Sequence, residues 1–163
     1  MRKLAYIFGI ALFLFGCATL EDMQKSVQQN PISSDQNAAF YAAIQKLKAG
    51  NQFKKNGQND KAMENYQQAL TIFRKLEEEE TTWGGIATSL DKIGKVYQLW
   101  GQYDKAIENY QQALAINRKL GKEDWIARSL NDIGLVYYLW GQFDKVIENY
   151  QQALVAFRKL GKE

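Results

Sequence analysis

The side chains that most often do chemistry are scarce in this chain. Its 163 residues include no histidine and a single cysteine, Cys17. Without an imidazole there is no Ser-His-Asp or Cys-His pair and no histidine metal ligand. One cysteine can neither close an internal disulfide nor build a thiolate zinc site. Carboxylates and lysines remain as acids and bases, but none is visibly paired within an apolar pocket. Glu77 to Glu80 are four adjacent carboxylates. Neighbours on a helix point in different directions, so this run is no metal cage and reads as a solvated loop. No catalytic residue, metal site or cofactor site is predicted. A net charge of +3 without a basic stripe argues against nucleic acid as a partner. A content of 46% hydrophobic and 24% charged residues is that of a globular protein.

The elements that position Cys17 begin at the first residue. Met1-Arg2-Lys3 is a short basic start, followed by an apolar run from Leu4 to Phe15. A spanning helix needs about 20 apolar residues, so this run reads as an export signal instead. Its end, Leu14-Phe15-Gly16-Cys17, resembles the lipobox of bacterial lipoproteins. The resemblance implies a thioether to diacylglycerol on Cys17, cleavage after Gly16 and acylation of the new amino terminus. Each buried methylene adds about 0.8 kcal/mol of membrane affinity, so two or three acyl chains anchor a protein effectively for good. The competing reading is an ordinary cleaved signal in which the cysteine is incidental. Ala18 is not acidic, which by resemblance to sorted lipoproteins implies the outer membrane in a didermal bacterium. Residues 17–36 are polar, hold the only proline, Pro31, and read as a tether. Cleavage removes Arg2 and Lys3, which brings the mature chain close to neutral.

The remainder repeats itself. Residues 86–123 align with 126–163 without a gap, and 28 of the 38 positions are identical. An older copy around Glu64-Asn65-Tyr66-Gln67-Gln68-Ala69-Leu70 lies 44 residues before its counterpart. Repeats of this period are stacked supersecondary units, and three are about the minimum that buries a core. Each unit reads as two helices. Ile126, Leu130, Ile133, Val136, Tyr137 and Trp140 recur at helical steps, Gly141-Gln142-Phe143 breaks the pattern, and Asp144 is placed to cap the next helix. Val146, Ile147, Tyr150, Ala153, Leu154, Phe157 and Leu160 then form that second helix, which Gly161 ends. No stretch alternates like a strand, so the fold is expected to be all-α.

These residues resemble the tetratricopeptide repeat. In the second unit the matching residues are Leu90, Ile93, Gly94, Tyr97, Gly101, Tyr103, Ala106, Tyr110, Ala113 and Leu114. In the third they are Leu130, Ile133, Gly134, Tyr137, Gly141, Phe143, Val146, Tyr150, Ala153 and Leu154. The first keeps Gly50, Phe53, Gly57, Ala62, Tyr66, Ala69 and Leu70, but departs at Lys46, Ala49 and Asn59. The period suggests the forty-residue subclass with lengthened helices. The resemblance implies a right-handed α-solenoid of three hairpins, at about 37–76, 83–121 and 125–163. Gly94 and Gly134 are expected to let paired helices approach, and Tyr97 and Tyr110 to fill space between hairpins. Trp100 and Trp140 are expected to pack between neighbouring hairpins or to form an exposed apolar edge. The four extra residues near 77–85 are expected to loosen the first hairpin from the second.

The resemblance also implies a concave face lined by first helices. Its ligand-facing places fall on Leu47, Asn51 and Lys54, on Thr88, Asp91, Lys95 and Gln98, and on Arg128, Asn131, Leu135 and Tyr138. The expected occupant is a protein or peptide. Members that clamp an acidic chaperone tail place Lys and Asn at fixed positions, whereas Asp91 here would repel a carboxylate, so no such clamp is expected. The sequence stops at Glu163, after a second helix. An uncovered last hairpin would leave Leu130, Val155 or Phe157 partly bare and favour self-association. The resulting reading is a lipid-anchored adaptor or assembly scaffold of the bacterial envelope. The alternatives are a self-associating module without a foreign ligand, or a fragment of a larger repeat protein.

Overall fold

A computed structural model of the chain describes residues 34–76 and 80–161. Cys17, the export signal and most of the tether lie outside the described residues. Six helices run through the rest: α1 (Ser34–Lys55), α2 (Asn59–Lys75), α3 (Glu80–Leu99), α4 (Tyr103–Lys119), α5 (Glu123–Leu139) and α6 (Phe143–Lys159). No strand occurs among the described residues. Each helix packs on its neighbours in sequence, which gives three hairpins: α1–α2, α3–α4 and α5–α6. The first hairpin starts at Ser34, so its helix takes the last residues assigned to the tether. No helix among the described residues is long and apolar enough to cross a membrane.

The turns inside the hairpins are one device used repeatedly. After α3, Gly101 takes a φ of 69° and donates its amide to the Gln98 carbonyl, while Gln102 donates to Tyr97. Gly141 and Gln142 do the same onto Tyr138 and Tyr137, with a φ of 77° at the glycine. This pair of bonds satisfies the last helical carbonyls and needs a left-handed residue, which glycine adopts without a Cβ penalty. Asp144 does not cap α6. Gln142 occupies the cap position without a side-chain bond, and Asp144 lies in the first turn. There its charge favours the positive end of the helix dipole. The lysine that directly follows this aspartate covers an aromatic near the end of the first helix. Lys61, Lys105 and Lys145 sit 5.6, 5.4 and 4.9 Å from the rings of Phe53, Tyr97 and Tyr137.

Close approach within each hairpin depends on a glycine facing a ring. A Cβ on Gly50 would meet Tyr66 at 2.5 Å, one on Gly94 would meet Tyr110 at 2.8 Å, and one on Gly134 would meet Tyr150 at 2.6 Å. The rings therefore lie in the space that a side chain would need. Tyr110 was expected between hairpins but fills its own hairpin, since its glycine partner is on α3 and Tyr110 is on α4. Tyr97 is the residue that joins neighbouring units. It packs against both apolar clusters, one centred on α1 to α3 and one on α4 to α6.

Residues 77–79 of the junction lie outside the described residues, but the helices on either side of them pack closely on each other. Gly85 lets the Phe73 ring of α2 seat against the α3 backbone, where a Cβ would meet it at 2.6 Å. Phe73 and Thr82 are buried, and Phe73 contacts Phe40 edge-on at 5.5 Å. The extra residues lengthen α3, which starts at Glu80 within the expected loop. Trp140 satisfies both of its expected readings in part, whereas Trp100 meets Tyr97 of its own helix edge-on at 5.8 Å. Trp140 reaches back to Tyr103 of the preceding hairpin at 6.1 Å, yet both indoles stay substantially exposed.

Candidate functional site

The first helices of the second and third hairpins share a charged network. Lys95 on α3 holds Asp91 at 3.1 Å, one turn back on its own helix, and Asp132 of α5 at 3.3 Å. Lys92 lies 3.8 Å from Asp91. Lys54 of α1 stands near enough to feel the charges of Lys92, Lys95, Asp91 and Asp132, although the ion pairs themselves join α3 and α5. Three lysines and two aspartates leave a single positive charge on this surface.

The second helices brace it from below. The Tyr66 hydroxyl donates to Asn51 Oδ1 at 2.9 Å, and the Tyr110 hydroxyl donates to Gln98 Oε1 at 2.9 Å. Each tyrosine is the ring that rests on the hairpin glycine, so core packing fixes the hydroxyl. The hydroxyl in turn fixes the amide. With its oxygen engaged, each amide keeps two N–H donors for a ligand.

Electrostatics follow from burial and this pairing. Burial acts to lower the Lys95 pKa, but Asp91 and Asp132 together outweigh it, and the value is raised. Asp132 is raised because burial exceeds the pull of Lys95, a cation it shares with Asp91. Lys54 is lowered by burial and then by Lys92 and Lys95. The Tyr66 phenol is pushed up to about 12 by burial and then by Asp91. Burial, followed by Asp132 and Asp91, also raises Tyr110.

These directions carry a stability consequence. A phenol with a folded pKa above its unfolded value of about 10 keeps a proton that the unfolded chain releases. Its contribution is complete below about pH 10 and is lost as pH rises through the folded pKa. Lys95, also raised, is lost in the same direction. Lys54, lowered, works the opposite way, and its effect is complete once pH passes about 10.4. Stability measured by urea unfolding is therefore expected to fall steeply from pH 10 to 12. Tyr66→Phe is expected to shallow the slope by up to about 1.4 kcal/mol per pH unit. An identical slope in both proteins would contradict the assignment.

The sequence-derived candidates divide into three groups. Asp91 and Lys95 are brought into one network, with Asp91 buried beneath it, and Lys54 is near enough to feel its charges. Asn51 and Gln98 are tied to tyrosines of the second helices. In α5, Arg128 and Asn131 are exposed and Leu135 is half-buried. The Arg128 guanidinium lies 5.6 Å from the Trp125 ring. Tyr138 is exposed and meets Phe143 edge-on at 6.1 Å. Thr88 is half-buried. Leu47 does not face a ligand: it is buried in the apolar cluster of α1 to α3. Asp132 was missed. It stands 37 residues after its partner Lys95, and no motif marks a pair set by the register of one hairpin on the next.

The architecture is that of an α-helical repeat module whose first helices form a common face, a class that binds other proteins and peptides. The chain belongs to the tetratricopeptide repeat family, which matches it over residues 41–119 and 85–159. Solved structures agree on a right-handed solenoid. The tetratricopeptide domain of Arabidopsis FLU superposes with a TM-score of 0.66 at 23% identity, over 74% of this chain and 98% of that one. Aspartyl phosphate phosphatase F from Bacillus subtilis superposes with a TM-score of 0.70 at 18% identity, over 87% of this chain. BtubC from P. vanneervenii gives 0.67 at 20% identity, over 88% of this chain and 57% of that one. The chain spans only 36% of the phosphatase, and these likenesses are of fold. No curated protein sequence matches it.

Proposed function

We propose that the protein is a lipid-anchored adaptor or assembly scaffold of the bacterial envelope, held to a membrane through Cys17 and binding a protein segment on the face of its first helices. The observation that carries the binding part is the Lys95–Asp91–Asp132 network. It consumes the central cation internally and leaves a nearly neutral floor. Such a floor suits a segment of low net charge and gives an acidic tail no free ammonium at Lys95. The amide donors of Asn51 and Gln98, together with Asn131, suit backbone carbonyls. Leu135 and Tyr138 offer an apolar seat with a polar tip, a frequent hot-spot type. The lipobox-like Leu14-Phe15-Gly16-Cys17 supports the anchor, and the non-acidic Ala18 supports the outer membrane in a didermal cell.

The test is crosslinking in intact cells followed by pull-down and fractionation. Cys17→Ala is expected to release the protein from membranes or to change its mobility. Tyr138→Ala is expected to weaken capture of the partner by at least tenfold. A Cys17→Ala protein that stays membrane-bound with unchanged mobility would defeat the anchor. Unaltered capture by both Tyr138→Ala and Asn131→Ala would defeat the groove.

A further inference from the structure

Two kinds of bare apolar surface occur among the described residues, and the effect of a following helix separates them. Ile107, Tyr110 and Leu114 of α4 are buried where α5 covers them, so their exposed counterparts on α6 are places that a next helix would fill. They name no occupant. Of the three residues expected to be bare nearby, Leu130 is buried, Phe157 is half-buried and Val155 alone is exposed. The turns behave differently. Leu99-Trp100-Gly101-Gln102 and Leu139-Trp140-Gly141-Gln142 close the second and third hairpins. Leu99 and Trp100 have a hairpin packed after them and are still 59% and 37% exposed. Leu139 and Trp140 are similar, at 46% and 45%. Their exposure therefore belongs to the turn and not to the last hairpin. Trp100 meets Tyr97 at 5.8 Å and Trp140 meets Tyr103 at 6.1 Å, which joins the two tips into one apolar edge. The first hairpin carries exposed Lys55 and Asn56 at the same places, so the turn itself does not require Leu-Trp.

The chemistry of this edge fits a lipid surface. Tryptophan and leucine at helix tips, with glutamine and lysine beside them, suit the boundary between headgroups and acyl chains. A free backbone N–H is costly there. At these tips none is free. The amides of Trp100, Gly101 and Gln102 donate to the carbonyls of Val96, Gln98 and Tyr97. Those of Trp140, Gly141 and Gln142 donate to Val136, Tyr138 and Tyr137. The adjacent charges cancel, Asp104 against Lys105 and Asp144 against Lys145, so anionic lipid is not required. The chain also has the reach. Sixteen residues, 18–33, separate Cys17 from α1 and can span up to about 55 Å. The 22 residues of α1 cover about 33 Å from Ser34 to the first turn. A chain held at Cys17 can therefore set its turns against the same membrane.

We propose that the edge formed by Leu99, Trp100, Leu139 and Trp140 docks on the surface of a lipid bilayer. It goes beyond the anchor reading and uses it only for reach. The four tryptophans supply the test, because Trp83 and Trp125 lie at the starts of α3 and α5, about 22–25 Å along the helices from Trp100 and Trp140. The full chain is reconstituted into phosphatidylcholine vesicles with brominated acyl chains, and the floated fraction is read by fluorescence. With Trp83→Phe and Trp125→Phe, emission from Trp100 and Trp140 is expected to fall at least twofold against unbrominated lipid. With Trp100→Phe and Trp140→Phe, emission from the opposite edge is expected to change little. Adding Leu99→Lys and Leu139→Lys to the first variant is expected to remove the quenching with unchanged helical content, since both leucines are exposed and Lys55 stands at their counterpart. Floated protein without quenching at Trp100 and Trp140, or with equal quenching at both edges, overturns the proposal. Shielding of these two tryptophans from iodide by a soluble protein but not by vesicles overturns it in favour of a protein partner. The anchor fails separately, by undiminished flotation of Cys17→Ala.

Discussion

Gly94→Ala is expected to lower stability by about 2 kcal/mol, whereas Gly134→Ala stays close to neutral. The two glycines occupy equivalent positions and face equivalent tyrosines. A Cβ would stand 2.8 Å from the Tyr110 ring in one case and 2.6 Å from the Tyr150 ring in the other. Bond geometry alone would make the second the worse clash. The surroundings reverse the order. Tyr110 is fully buried, and its hydroxyl is held by Gln98, so the ring has nowhere to go. Overpacking of that kind costs about 1–3 kcal/mol, occasionally more, against a helix-propensity gain of about 1 kcal/mol for alanine over glycine. Tyr150 lies on the exposed face of α6, and its counterpart positions, Leu135 and Tyr138, offer no amide oxygen. Its ring can swing outward, and the propensity gain offsets what is lost. In a folded part of this size the difference corresponds to roughly 5–10 °C in the thermal midpoint. Equal losses in the two variants would show that α6 is covered in the measured species or that Tyr110 is freer than its burial indicates.

Lys95→Met is the second large effect. The substitution keeps most of the aliphatic stem and removes the ammonium between Asp91 and Asp132. Both carboxylates are largely shielded, at 12% and 19% side-chain exposure, and Lys92 lies 3.8 Å from one of them. Removing one member of a fully buried pair costs about 3–5 kcal/mol, and the partial exposure here brings the expectation to about 2–3 kcal/mol. A pH signature separates charge from packing. Without Lys95, burial and the Asp91 charge raise Asp132 without the cation that opposes them, so the folded state binds protons more readily than the unfolded one. The deficit is then expected to shrink as pH falls from 7 toward 4. Lys95→Met combined with Asp132→Asn is expected to recover part of the loss at pH 7. A deficit that is the same at pH 4 and pH 7 would mean that the lysine contributes only its hydrocarbon.

The two effects show why some features were legible in the sequence and others were not. The glycine–tyrosine pairs and the left-handed turn glycines recur at the repeat period, so each unit restates the same packing requirement. The hairpins and their order were readable for that reason. Lys95–Asp132 depends on how one hairpin lies across the next, and it occurs once. Leu47 was misplaced because the first unit departs from the motif, so its helix face had no reliable register. Ile107 and Ile147 mark a further limit. They sit in identical octapeptides, and only the helix after them decides which of the two is buried. Sequence similarity assigns both to the core, whereas among the described residues only Ile107 has a following helix packed against it.

The central claim is that the face built by α1, α3 and α5 is where a protein partner lies. Site-specific photo-crosslinking in intact cells tests it most directly. A photoreactive residue is placed in turn at Tyr138, Asn131 and Lys54 on that face, and at Glu108 and Gln112 on the exposed side of α4. The account predicts adducts of one size from the first three positions and none from α4. Adducts confined to Glu108 and Gln112, or no adduct from any first-helix position, would contradict it.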